Sequence, residues 1–211
     1  MMKRKGLFAL AGLITALGGV PPALATVGGP ELVEVLGWSP DQHRVYVHVI
    51  STWANDSFGD VVYFALDGPE PERAATWSRA PRGEGTARDS TLVAQLAALR
   101  RTLEPMVPMP AASLPFVARA ARRDTVRDRY GEYVRYTTRA RFDRETEFEV
   151  TAWFRPEVVL KDAYAVPGRS ERLLVLAFFG DRSEGGYETQ VPVMIARRGV
   201  PLRQVRWGPA E

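Results

Sequence analysis

Cysteine is absent from this chain. Its absence excludes disulfide bonds, thiol nucleophiles, thiol redox chemistry, cysteine metal sites and lipid attachment at a cysteine. Histidine is nearly absent: His43 and His48 are the only two. One chain therefore cannot build a three-histidine zinc site. The two stand five positions apart in or beside one expected strand, so they point to opposite faces and share no metal. Lysine is scarce too, with Lys161 the only one after Lys5. The Gly-x-Ser-x-Gly elbow, EF-hand spacing and calcium-binding nonapeptides are missing, as are internal repeats and low-complexity tracts.

What is present begins with an address. Lys3, Arg4 and Lys5 precede an uncharged, mostly apolar run from Gly6 to Gly19, then Pro21 and Pro22, then Ala23-Leu24-Ala25. A basic start, a short apolar segment and an A-x-A-like end mark a secretory signal peptide, with cleavage expected after Ala25. The alternative, an uncleaved anchor, needs roughly 20 apolar residues. The run spans 14, and the prolines would stop a helix before it crossed a bilayer. Residues 1–25 are thus expected to be a signal peptide. Residues 26–211 are expected to be a single β-rich domain, periplasmic or secreted, with no stable membrane span after cleavage.

Export also explains the charge. Residues 1–25 hold three basic and no acidic side chains, which leaves the rest balanced at 25 against 25. Net charge then gives no case for nucleic acid or an anionic membrane as partner. The remaining length suits one domain, with a core that forms without cross-links.

Residues 26–30 read as a short lead, and Glu31–Trp38 opens a first β-region. Ser39-Pro40-Asp41-Gln42 is turn chemistry. In the next strand Val45, Val47 and Val49 share one face, and Arg44, Tyr46 and His48 the other. A loop over Trp53–Asp60 leads to a strand at Val61–Leu66, and a short strand is expected around Ala74–Ser78. Ser90 is a good N-cap for a helix to about Leu103, whose stripe of Leu92, Leu96, Leu99 and Leu103 packs on a sheet. Prolines 105, 108, 110 and 115 predict a stiff connector over residues 105–115.

The second β-region is better patterned. Glu132–Phe142 and Thr146–Arg155 read as an antiparallel hairpin closed by Asp143-Arg144-Glu145. Pairing Phe142 with Thr146 sets Arg141 opposite Glu147 and Arg139 opposite Glu149. That face meets water, while Ala140, Phe148, Val150 and Ala152 lie on the apolar one. Arginines 135, 139 and 141 could instead bind an anionic ligand, but the glutamates opposite two of them supply counter-charge. Arg172–Phe179 is near-continuously apolar, so central and buried on both faces. Thr189–Ala196 and Pro201–Trp207 complete eight to ten strands. The expected class is β-rich α+β, a mainly antiparallel curved sheet or sandwich with one covering helix.

Gly37-Trp38-Ser39-Pro40-Asp41 before a strand resembles the blade-opening turn of Tol-type periplasmic β-propellers. It departs where Gln42 replaces the usual glycine, and it occurs once, whereas a propeller repeats it about every 40 residues. Here the motif marks a tight turn. Over a longer span, the order of elements is similar to an uncharacterised family of predicted secreted bacterial proteins. Those elements are Val35–Val49, Thr91–Leu103 and Leu173–Ile195, with Glu184-Gly185 in a loop. The resemblance implies export and no assigned activity.

Little of this supports catalysis. Ser39 precedes Pro40, which removes the backbone N–H that a nucleophile elbow places in its oxyanion hole; Ser39 is a turn former. Two acidic loops remain. One sets Trp53 and Phe58 among Asn55, Asp56 and Asp60, a composition suited to binding or to capping the core. The other holds Asp181 and Glu184 beside Gly185 and Gly186. Those seven residues are the candidate contact set. No catalytic residue, metal site or cofactor is expected. The reading that follows is a non-catalytic envelope binding or accessory module with an envelope protein or small ligand as partner. A carboxylate- or metal-dependent periplasmic hydrolase using the same loops is the alternative.

Overall fold

The computed structural model describes residues 31–53, 56–71, 73–78, 90–128, 131–142, 146–180 and 187–195. The expected signal peptide, its following lead and the strand Pro201–Trp207 lie outside the described residues. Eleven strands and one α-helix appear among the described ones. In chain order they are β1 (Glu31–Ser39), β2 (Arg44–Trp53), β3 (Asp56–Ala65), β4 (Ala74–Ser78), α1 (Ser90–Arg100), β5 (Val107–Met109), β6 (Phe116–Asp128), β7 (Gly131–Phe142), β8 (Thr146–Trp153), β9 (Val158–Ala165), β10 (Arg172–Phe179) and β11 (Glu188–Ile195).

Eight strands form one sheet in the order β4-β3-β2-β1-β11-β10-β9-β5, and β6-β7-β8 form a second. The class is β-rich α+β, as expected. All pairings are antiparallel except β1 with β11, which share a single row, Glu31 with Thr189. Beyond that row Gln190 Oε1 accepts the Val33 N–H at 3.1 Å. A side chain thus completes a seam that the backbone ladder does not.

Alternation becomes two-sided burial in β2. Val45, Val47 and Val49 enter a core with Val62 and Phe64 from β3 and with Leu173 and Met194 from β10 and β11. Strands from both wings meet in that one cluster, so the large sheet is curled around it. On the reverse side of β2 and β3, Tyr46 and Val61 pack under Leu96 of α1, with Leu99 and Leu103 beside them. Three of the four stripe leucines therefore do what the helical spacing predicts. The reverse side of β10 and β11 is covered by the small sheet, where Leu174, Leu176, Val191 and Val193 meet Ala140, Phe148, Val150 and Ala152. β10 has cover on both faces and is buried from Leu173 to Phe178. Fully burying a side chain such as Leu or Phe contributes about 1.5–3 kcal/mol, so this double-faced strand anchors the fold.

Two glycines are required by close approach. Gly37 sits at a bulge in β1 with φ +138°, a region favouring glycine. A Cβ there would lie 2.6 Å from the Glu104 carbonyl oxygen. That approach lets Trp38 and Glu104 exchange backbone hydrogen bonds of 2.9 and 2.8 Å. Gly59 in β3 makes room for the His48 imidazole.

Three expectations change. Trp53 and Asp56–Asp60 are strand and not loop. The β2–β3 ladder runs from Arg44 opposite Ala65 to Trp53 opposite Asp56, so cross-strand pairing overrides the poor strand propensity of Asp56-Ser57. The proline connector contains β5, which pairs with β9, and a 3-10 turn at Ala111–Ser113. Pro108 is tolerated because β5 is an edge strand. The 13-residue β6 is an additional strand, pairing with β7 through a bulge at Ala121.

Candidate functional site

Of the seven candidate residues, Trp53, Asp56, Phe58 and Asp60 are described, and they lie on β2 and β3 toward one end of the large sheet. Trp53 closes β2 opposite Asp56, and Phe58 stands opposite Ser51. Asp60 lies opposite Val49 and is half-buried, on the pleat that carries Val62 and Phe64 into the inner core. Asn55, Asp181 and Glu184 lie outside the described residues. The segment holding the last two leaves β10 after Phe179 and enters β11 at Glu188, which pair with each other.

Register places the two hairpin ends together. One row runs Phe58, Ser51, Glu31, Thr189, Phe178 across β3, β2, β1, β11 and β10. Three strand spacings separate Phe58 from Thr189, about 14 Å at the usual interval. The β2–β3 and β10–β11 turns therefore open at the same end, with the start of β1 between them. Gly180 fits against the Thr189 side chain, where a Cβ would come within 2.7 Å, which keeps the β10 exit tight against β11.

The opposite end carries an ionic cluster that sequence spacing did not indicate. Arg169 Nη2 donates to Asp67 Oδ1 at 2.8 Å and to Glu171 Oε1 at 3.0 Å, and Arg169 Nε donates to Glu171 Oε2 at 3.3 Å. His43 Nδ1 also bonds Asp67. Three turns converge here: β1–β2, β3–β4 and β9–β10. Asp67-Gly68-Pro69 and Pro167-Gly168-Arg169 are ordinary turn chemistry. Residues 67 and 169 are far apart in the chain, so only the curl of the sheet reveals their pairing.

The electrostatics of this cluster follow from its contacts. Hydrogen bonds from His43 and then Arg169 hold the Asp67 carboxyl below its usual range. Burial pushes Glu171 upward, but its bonds from Arg169 and from backbone N–H groups prevail and lower it. Glu171 and Asp67 in turn hold the Arg169 guanidinium more firmly charged. With each charge answered, the cluster ties the β2–β3 wing to the β9–β10 turn and leaves no unengaged base or nucleophile.

A smaller ionic link pins the helix. Glu34 on β1 accepts from Arg100 at the end of α1 at 2.6 Å and bonds His48 Nδ1 at 3.3 Å. The two histidines thus serve separate carboxylates at separate places. Beside this link, Tyr46 stacks edge-on with Trp77 at 6.3 Å, and the Arg44 guanidinium lies 4.3 Å over Tyr63. Ser39 acts as its turn requires, its Oγ accepting the Gln42 N–H at 3.3 Å. Among the described residues, no group of three or more His, Asp or Glu side chains is placed to hold a metal ion. Among them too, no helix is long and apolar enough to cross a membrane.

No family model matches the chain, and neither curated proteins nor solved structures yield a match.

Proposed function

We propose that this protein is an exported, non-catalytic binding or accessory module of the bacterial envelope, periplasmic or secreted. Its contact surface is the sheet end formed by the β2–β3 and β10–β11 turns. The observation that supports this reading most is the shared row from Phe58 to Phe178. It supports the reading because it brings the strand ends that flank two sequence-distant turns to one end of the sheet, and binding residues are commonly carried on loops that a rigid scaffold positions. Trp53 and Phe58 supply the residue types that anchor interfaces, among small polar neighbours. Export rests on the N-terminal pattern of residues 1–25, and the mature chain begins at Thr26.

A photo-crosslinker placed at position 53 or 58 in producing cells tests the surface. It is expected to capture one partner that the same crosslinker at the exposed Val107, at the far end of the sheet, does not. Mass spectrometry of the exported protein is expected to give a chain starting at Thr26. Turnover on glycan, ester or peptide substrates that Asp60→Asn or Glu184→Gln abolishes would replace this reading with the hydrolase alternative.

A further inference from the structure

Among the described residues, arginine outnumbers carboxylate on the outer face of the small sheet. Register puts Arg119, Arg122, Arg135, Arg139 and Arg141 on that face with Asp124, Glu147 and Glu149. Asp124 is shared between Arg122 at 2.8 Å and Arg135 at 3.1 Å. Glu149 takes Arg139 at 3.2 Å. Glu147 stands directly opposite Arg141 yet leans toward Arg139, 3.9 Å away. Arg119 and Arg141 are left with no ion pair or hydrogen bond to any described residue. Arg119 also lies directly across from Arg139, and like charges so placed repel.

These groups surround a recess. Val117, Arg119, Ala120, Ala121, Arg139, Arg141 and Glu147 line a depression of about 210 Å³. The register of β6 shifts between Ala120 and Arg122, so Ala121 is an inserted residue. Such bulges bend an edge strand and re-aim its side chains. Two alanines at the bulge leave room between the guanidiniums. Edge strands do use charge to resist pairing with other chains, but that role requires neither a single sign nor a recess.

We propose that this depression is an oxyanion-binding site that takes a phosphate or carboxylate group between Arg119 and Arg141. Either oxyanion matches the planar donor fork of guanidinium. Glu147 on the rim disfavours a second negative charge and accepts a hydrogen bond, so the ligand carries a hydroxyl or amine beside its anionic group. The site is separate from the loop end and stands whether or not that surface binds a partner.

The test is an NMR titration of the purified protein with inorganic phosphate, and separately with acetate, sodium chloride keeping ionic strength constant. Saturable shifts confined to residues 117–121 and 139–147 are expected. Saturation by phosphate alone assigns a phosphoryl ligand, and equal or tighter saturation by acetate assigns a carboxylate. Removing two guanidiniums with Arg119→Gln/Arg141→Gln is expected to raise Kd about tenfold or more, since hydrogen bonds to charged groups are the stronger kind. Glu147→Gln is expected to lower it about threefold, by removing like-charge repulsion. Arg122→Gln, whose guanidinium Asp124 already engages, is expected to leave Kd within about twofold, because its charge contribution is screened. All these side chains are exposed, so the variants fold. Unsaturable shifts, shifts that chloride reproduces, or equal losses from Arg122→Gln and Arg119→Gln would each overturn the proposal.

Discussion

The turn-end cluster and the outer face of the small sheet use the same ingredients and finish them differently. At the turn end, one guanidinium serves two carboxylates, and His43 also bonds Asp67. On the outer face of the small sheet, among the described residues, five arginines share three carboxylates and two are left over. Burial explains the contrast. Glu171 is only 7% exposed, and a buried carboxylate without a partner is costly. Arg119 and Arg141 stand in water, where a lone guanidinium costs little. Pairing at the turn end is demanded by the fold; the unpaired charge on the small sheet is not, and so remains open to a ligand.

Arg169→Met breaks the comparison most severely. It leaves Glu171 buried beside an apolar side chain and removes one of the two hydrogen-bond partners of Asp67. Losing one partner of a fully buried pair costs about 3–5 kcal/mol. Arg169 itself is a quarter exposed, so about 2–4 kcal/mol is expected in urea denaturation. Arg169→Met/Glu171→Met should recover most of that loss, because no charge is then left unanswered. A double variant as unstable as the single one would show that the cluster acts through packing instead.

Acid should separate the two regions next. Asp67 and Glu171 both titrate below their usual range in the folded protein. Their stabilising contribution is therefore full above the ordinary carboxylate values near 4 and is lost as pH falls through the lowered folded values. Glu171→Gln removes its share at every pH. The gap in urea midpoint between the native protein and this variant should be widest near pH 7 and narrow steadily below about pH 4. A gap that widens in acid would reverse the assigned direction. Asp124 on the small sheet is also lowered: burial opposes the shift, and its bonds from Arg135 and Arg122 produce it. Its side chain is 21% exposed against 10% for Glu171, so Asp124→Asn should change the acid limb less than Glu171→Gln.

Much of the scaffold was legible because local pattern and final pairing agree. β2 alternates cleanly, and the β7–β8 register follows from one short turn, with Arg139 opposite Glu149 and Arg141 opposite Glu147 as the pleat predicts. The apolar run from Leu173 to Phe178 correctly marks a strand covered on both faces. β6 was not legible. Arg119-Ala120-Ala121-Arg122-Arg123 shows no period of two, because the bulge at Ala121 shifts the parity midway. Without β6, the β7–β8 face shows Arg135, Arg139 and Arg141 against Glu147 and Glu149, a surplus of one; the third strand adds Arg119 and Arg122 against Asp124 and makes it two. The turn-end cluster was hidden for another reason: its members sit in three turns, where residue types report local geometry and not distant partners. Of the candidate loop set, Trp53, Asp56, Phe58 and Asp60 lie in paired strands, because the β2–β3 hairpin consumes most of the first loop.

The finest test concerns sign more than size. If Arg119 is surplus to folding, removing it should help slightly. Arg119→Gln takes away one of two like charges directly opposed across β6 and β7, a relief of about 0.2–1 kcal/mol. The gain should appear in urea denaturation at low salt and fade toward 1 M sodium chloride, where the screening length falls to about 3 Å. Arg122→Gln should move stability the other way by a similarly small amount, since it breaks an exposed pair with Asp124. Opposite signs from two arginines three positions apart on one strand would distinguish charge retained for pairing from charge retained against the fold's own preference. If Arg119→Gln instead destabilises the protein at low salt, Arg119 has a folding partner, and the surplus on this face cannot be held in reserve for a ligand.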